Sequence, residues 1–157
     1  MLSEVEIFPF EEKDAAAFRA LNEEWIVRYF EMEESDHKAL GDPMTHIIGR
    51  GGRIYMAWHN AKPIGCCAVM PMRPGVFEVG KMAVAPEYRG YGVGRRLLQH
   101  VIEEAKRLGA NSLFLGSNTS LPNALHLYES MGFQQLADAN VPDYPYARAN
   151  IFMQKEL

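Results

Sequence analysis

Cysteine is scarce in this chain: Cys66 and Cys67 are the only two, and they are adjacent. Neighbouring residues of a strand point to opposite faces, so the pair makes a poor disulfide and offers no zinc-ligand spacing. Without a disulfide framework, a reducing cytoplasm is the expected compartment. No run of eighteen apolar residues occurs, so no membrane-spanning helix is expected. Met1 to Phe10 carries acids where a secretory leader needs a basic start and an apolar stretch, so none is expected there. Basic residues are not in excess either. The formal net charge is −4, and no Lys/Arg-rich stripe interleaves with aromatics, which argues against nucleic acid as a partner. The five histidines show no metal-ligand spacing, and no metal is expected. Repeats, low-complexity tracts and long linkers are all missing, so residues 1–157 read as one domain.

What is present is patterned. Residues 1–36 hold eleven acids and three bases, whereas residues 37–157 hold thirteen bases and nine acids. Such asymmetry can draw different partners to one groove. Glu4 to Phe10 reads as a first strand. Asp14 to about Met32 reads as a helix with Phe18, Leu21, Trp25, Tyr29 and Met32 at helical spacing. Glu33 to Gly41 fits a turn or a short second helix. Strands are expected at Arg53 to His59, Ile64 to Met72 and Val76 to Val84, separated by turn chemistry at Asn60 to Pro63 and Arg73 to Gly75. A strong helix follows, with Val93, Leu97, Leu98, Val101, Ile102, Ala105 and Leu108 in one stripe and Gly109 at its stop. Ser112 to Leu115 reads as a short buried strand. Ser120 is a candidate cap for a helix with Pro122 in its first turn and Gly132 at its end. Phe133 to Ala137 and Ile151 to Leu157 are the last strand candidates. This order predicts a mixed α/β (α+β) domain with a central, largely antiparallel sheet flanked by helices.

The most informative segment is Arg89-Gly90-Tyr91-Gly92-Val93-Gly94, between a strand and a helix. Small residues let the backbone approach a ligand, and the first helical turn offers unpaired N–H donors suited to a pyrophosphate. Taken alone, the spacing fits a tight structural loop with solvated arginines equally well. It lacks the Lys-Ser/Thr ending of a P-loop, and it follows several hairpin strands where a dinucleotide fingerprint would open a βαβ unit.

The longer stretch Glu78 to Gly94, with Arg89, Gly92 and Gly94 at the signature positions, resembles the coenzyme A motif of the GNAT family of N-acetyltransferases. Ala124 to Phe133 resembles a second block of that family, in the family's order. The resemblance covers roughly residues 76–134. It implies a fold whose central strands splay to form an acyl-CoA cleft, and acetyl transfer to a primary amine by direct attack in a ternary complex. It implies acetyl-CoA as cosubstrate and no metal. The backbone of Met82, Ala83 and Val84 would bond the pantetheine arm, and an N–H near Val84 would face charge developing on the carbonyl oxygen. The amides of Arg89, Gly90, Tyr91, Gly92, Val93, Gly94 and Arg95 would hold the pyrophosphate.

The reaction needs a base to free the amine's lone pair and an acid for the leaving thiolate. The resemblance assigns Glu78 and Tyr128 to these roles. By strand alternation Glu78 shares a face with Met82 and Val84. Read without the resemblance, Glu78 is an exposed strand glutamate or an ion-pair partner of Lys81, and Tyr128 is a core tyrosine. Many relatives carry an Asn where this chain has Leu121; Asn118 and Asn123 lie nearby, out of register.

For the acceptor side, Trp25, Tyr29 and Glu33 are the candidates. Together with Glu31, Glu34 and Asp36 they read either as an acidic, aromatic-lined lip for a cationic small-molecule or peptide amine, or as a solvated amphipathic helix. The tail Asp143 to Asn150 fits a carboxylate site, a homodimer interface or closure of the sheet. Three alternatives stand beside acetyl transfer: a longer acyl-CoA donor, a non-catalytic coenzyme A-binding regulatory module, and a cysteine nucleophile at Cys66 or Cys67.

Overall fold

The structure, a computed structural model, describes residues 4–157; Met1 to Ser3, the start of the segment considered as a leader, lie outside it. Strand alternation builds the centre. In β2 (Arg53–His59) Ile54 and Met56 face one side and Tyr55 and Ala57 the other, and all four are buried. β3 (Lys62–Arg73) repeats the pattern, with Cys67 and Val69 on one face and Cys66 and Ala68 on the other. Asn60 and Ala61, both at positive φ (50° and 61°), make the tight turn between them. A sheet apolar on both faces must be covered on both.

Helix α4 (Val93–Arg107) covers the first face with Val93, Leu97, Leu98, Val101, Ile102 and Ala105, the stripe expected from the sequence. Burial of Val, Leu or Ile side chains contributes roughly 1.5–3 kcal/mol each. Helices α1 (Ala15–Tyr29), α2 (Glu34–Gly41) and α3 (Pro43–His46) lie on the second face, where Phe18, Ile26, Leu40 and Ile47 are buried.

The remaining elements are β1 (Glu6–Pro9), β4 (Val76–Val84), β5 (Ser112–Ser117), α5 (Pro122–Ser130), β6 (Gln134–Gln135) and β7 (Ile151–Glu156). The seven strands lie in the order β1-β2-β3-β4-β5-β7-β6, antiparallel throughout except for β4 and β5. This is the predicted mixed, largely antiparallel sheet flanked by helices. Among the described residues no helix is long and apolar enough to cross a membrane.

Local expectations shift at three ends. α1 stops at Tyr29, short of Met32, because Phe30 is extended (φ −146°, ψ −164°). Ser120 does not cap α5: Leu121 occupies the N-cap without a side-chain bond, and the Ser120 N–H is taken by Asn118 Oδ1 at 2.8 Å. The strand expected over Phe133 to Ala137 contracts to two residues, although Leu136 N–H still donates to Phe152 C=O at 2.8 Å.

Candidate active site

β4 and β5 pair only over Val76–Glu78 against Ser112–Phe114. Beyond Glu78 the strands diverge and leave a cleft of about 930 Å³. Its walls come from Glu78 to Val84, the end of β5, the loop ahead of α4, one face of α5 and the tail around Tyr144 to Ala149. The splayed central strands expected from the sequence are therefore present, and Met82, Ala83 and Val84 line the opening.

The glycine loop forms one end. Gly90 (φ 85°) and Gly92 (φ 81°) both occupy the left-handed region that favours glycine. A Cβ added at either would meet no protein atom within 4 Å, so the space beside them is open. The amides of Gly90 to Arg95 have no hydrogen-bond acceptor among the described residues; the first intrahelical bond here is from Arg96 N–H to Gly92 C=O, 3.1 Å. Open space, free N–H donors and a helix N-terminus match the needs of a pyrophosphate. Arg89, Gly90, Gly92, Val93, Gly94 and Arg95 all line the cleft. Tyr91 does not; its side chain is about half exposed. Arg89 also ties the loop to α1, with Nη2 donating to Glu24 Oε1 at 2.7 Å. Arg95 Nη2 reaches Ser130 Oγ of α5 at 2.8 Å.

Glu78 lines the same cleft, but not on the face that strict alternation assigns it. Cys66 pairs with Ala83 and Ala68 with Gly80, so two β4 residues oppose Cys67 alone. Lys81, at φ 49°, absorbs this bulge. The bulge reverses the alternation: Glu78 lies opposite Met70 on the face of α1, whereas Met82 and Val84 pack against the core beneath α4. The expectation that the three share a face is thereby corrected. Glu78 Oε2 accepts a 2.6 Å hydrogen bond from the Tyr144 hydroxyl. Burial pushes the Glu78 carboxyl above its ordinary range, and Tyr144 and Lys81 only partly oppose that.

Tyr128, on α5, also lines the cleft. Its ring packs edge-on against Phe133 at 6.0 Å, and its hydroxyl has no hydrogen-bond partner among the described residues. Burial raises its pKa, which keeps the proton on oxygen.

Of the acids counted at the acceptor end, Glu31 and Glu34 are exposed, Glu33 is half-buried and Asp36 points inward. Asp36, fully buried, accepts from Lys81 Nζ (2.5 Å), Arg148 Nη1 (2.5 Å), Arg148 Nη2 (2.8 Å) and the Glu33 amide (2.9 Å). Burial alone would push its carboxyl up, but Arg148 and Lys81 outweigh it and hold the pKa at about 2. Glu33 does not line the cleft; its carboxylate accepts from the Ala147 amide at 2.8 Å and the Arg148 amide at 3.3 Å. The acidic lip is thus replaced by an anchorage: the tail is tied to the N-terminus of α2, which has Glu33 at its N-cap. Trp25 and Tyr29 both line the cleft. The Trp25 indole N–H donates to Asn22 Oδ1 at 3.2 Å, and the Arg148 guanidinium stands 5.4 Å from its ring.

Sequence reasoning did not single out Tyr144, Lys81 or Arg148 for these roles. Their partners lie 66, 45 and 112 residues away, so no local spacing marks them. Leu121, Asn118 and Asn123 line the cleft near α5. Asn118 is committed elsewhere, donating to Arg148 C=O at 2.6 Å. Cys66 and Cys67 are free and buried on opposite faces. Burial pushes the Cys66 thiol up to about 12 and raises Cys67 as well, which removes the thiolate a cysteine nucleophile needs. Among the described residues no group of three or more His, Cys, Asp or Glu is placed to hold a metal ion.

Comparison with known proteins falls on the same residues. The model of the acetyltransferase (GNAT) family matches residues 15–133. The uncharacterized N-acetyltransferase YsnE of Bacillus subtilis is 34% identical over 120 residues, 71% of this chain and 78% of that protein. Another uncharacterized Bacillus subtilis N-acetyltransferase matches over 63% of its own length. The crystal structure of a GNAT-family acetyltransferase from Staphylococcus aureus has a TM-score of 0.88 at 18% identity, covering 97% of this chain and 98% of that one. The yncA protein of Salmonella typhimurium, solved with its cofactor acetyl-CoA, has a TM-score of 0.77 at 22% identity, covering 98% of this chain and 94% of that one. Both structural likenesses are ones of fold.

Proposed function

Since the chain belongs to the GNAT acetyltransferase family, we propose that it is an acyl-CoA-dependent N-acetyltransferase moving an acetyl group from acetyl-CoA to a primary amine by direct attack in a ternary complex. One observation carries this reading: a single cleft joins a glycine loop with free amides to a buried carboxylate and a protonated tyrosine. Acetyl-CoA supplies an acyl group already activated as a thioester. The amides of residues 90–95, with Arg89 and Arg95, hold its pyrophosphate; Tyr91 contributes through its backbone. The backbone of Met82 to Val84 receives the pantetheine arm. The domain extends over residues 1–157, and the two buried thiols suit a reducing cytoplasm.

Glu78 takes the proton from the attacking amine. Its raised pKa brings it nearer the working pH, where a general base is most effective. Tyr144 occupies Oε2 and leaves Oε1 for the amine. A hydrogen bond to a charged acceptor is worth about 1.5–3 kcal/mol, or about one to two pH units. Tyr144→Phe removes a bond that favours the ionised carboxylate, so the acid limb of the kcat/KM profile should move up by about one unit or more. An unmoved limb would mean that Tyr144 does not tune the base.

Tyr128 delivers its proton to the departing sulfur. Release of free thiol from acetyl-CoA, followed across a panel of primary amines, tests the whole reading: it should require both donor and amine. In Tyr128→Phe release should slow by about ten- to a hundredfold, at the low end of acid–base effects because a thiolate leaves readily. The melting temperature should stay near the parent value, since the hydroxyl makes no protein hydrogen bond among the described residues. No thiol release with any amine would reject the function; full activity in the Phe variant would reject the acid alone.

A further inference from the structure

The acceptor end of the cleft holds a charge that the chain itself does not answer. Lys81 and Arg148 are balanced by Asp36 and Glu33, and Lys38 pairs with Glu34 at 3.4 Å on the surface. Arg50 is different. Its exposed side chain lines the cleft beside Ile47, and its guanidinium has no hydrogen-bond or ion-pair partner among the described residues. Among the described residues the only carboxylate lining the cleft is that of Glu78.

The backbone under Arg50 is built to stay in place. It ends a 3-10 turn, Ile48–Arg50, closed by Gly51 at φ 89° with its N–H on Ile48 C=O at 3.0 Å. Gly52 N–H bonds Ile47 C=O at 2.9 Å, and a Cβ at Gly52 would strike Ile47 O at 2.8 Å and Val69 O at 2.9 Å. The Gly51-Gly52 pair, unexplained by the acyl-CoA motif, thus holds the backbone that carries this unanswered cation at the cleft wall. The cleft that holds Arg50 and Glu78 is also lined by Trp25, oriented by Asn22 and met edge-on by Phe30 at 6.4 Å, and by Ile47 and Met70, with Ser35, Lys38 and His46 as polar lining.

A site with a carboxylate base, apolar side chains and an unpaired guanidinium carried on a held backbone is complementary to a zwitterion with an apolar side chain. We propose that the acceptor is a small amine bearing a carboxylate, of the α-amino-acid kind with an apolar or aromatic side chain, and that Arg50 binds the carboxylate. This rests on the reading of the cleft as an acetyl-transfer site.

The test uses matched pairs: L-phenylalanine with phenethylamine, L-leucine with isoamylamine, and L-methionine with 3-(methylthio)propylamine. Calorimetry in the presence of coenzyme A, which carries no acyl group, reads the acceptor pocket apart from catalysis. Thiol release from acetyl-CoA reads the reaction. In at least one pair the amino acid should bind about ten- to a hundredfold tighter than its decarboxylated partner, the range of a charge-assisted hydrogen bond. Arg50→Ala should shrink that ratio to within about threefold, and Arg50→Lys should retain part of it. Equal or weaker binding of every amino acid, or a ratio that survives Arg50→Ala, overturns the proposal; if the plain amines are nevertheless acetylated, the transfer reading stands without it. Discriminating binding with no thiol release from any amine supports Arg50 and sinks the transfer reading. Failure of all six compounds to bind overturns the assignment of the acceptor.

Discussion

Gly92→Asp is expected to weaken acetyl-CoA binding by about a hundredfold or more in a protein that still folds. Asp tolerates positive φ better than most non-glycine residues, and the new side chain meets no protein atom within 4 Å of its Cβ. The carboxylate therefore stands in the space assigned to the pyrophosphate, among amides that would otherwise face it. A hundredfold corresponds to about 2.8 kcal/mol, which like charges a few ångströms apart can supply at intermediate dielectric. Calorimetric titration measures this directly. Gly92→Asn adds similar bulk without charge and should lose less. An unchanged Kd in folded Gly92→Asp would place the pyrophosphate elsewhere.

Glu78→Gln should lower kcat by about 10²–10⁴-fold, the usual contribution of a general base, with acetyl-CoA affinity nearly unchanged. The amide keeps the volume of the side chain and still offers an oxygen to the Tyr144 hydroxyl. Stability should not fall. A carboxyl whose pKa is raised by burial favours the folded state while protonated and opposes it once ionised, so the cost appears as pH rises past the ordinary glutamate range. Gln relieves that cost at neutral pH, and its melting temperature there should match or exceed the parent's. Steady-state rates and melting curves on one preparation separate the outcomes. A normal rate would leave Glu78 as a buried partner of Tyr144 and nothing more.

The elements that form the cleft are largely legible in the sequence. Arg89, Gly92 and Gly94 lie within six residues, and the apolar stripe from Val93 to Ala105 has a clean helical period. Local signals of that kind survive folding because the backbone alone enforces them. What escaped notice was produced by contacts between distant segments. Asp36 looks like one more surface acid in an acidic stretch until Arg148, 112 residues on, wraps its carboxylate. Nothing in Pro-Asp-Tyr-Pro-Tyr announces that Tyr144 reaches Glu78. The bulge at Lys81 is a third kind of gap: one residue out of step reversed the face assigned to Glu78 relative to Met82 and Val84, and Lys-Met carries no turn signature to warn of it. Element boundaries erred by small amounts, as at Phe30 and Leu121, where a single residue changes direction.

The brief pairing of β4 with β5 gives this sheet an edge in its interior. From Val79 to Val84, β4 has a strand on only one side, so its ladder groups on the other side face open space where most sheets would seat a neighbour. Exposed edges invite stray strands; this one is guarded by α5, by the tail that Glu33 and Asp36 hold down, and by the Arg89 side chain, whose Nε donates to Val84 C=O at 3.2 Å. Four strands lie to one side of the gap and three to the other, joined directly by three residue pairs. An extended donor carrying its own amides would lie along that gap as a missing strand does, a splint between two half-sheets, so that filling the site and stiffening the fold become the same event.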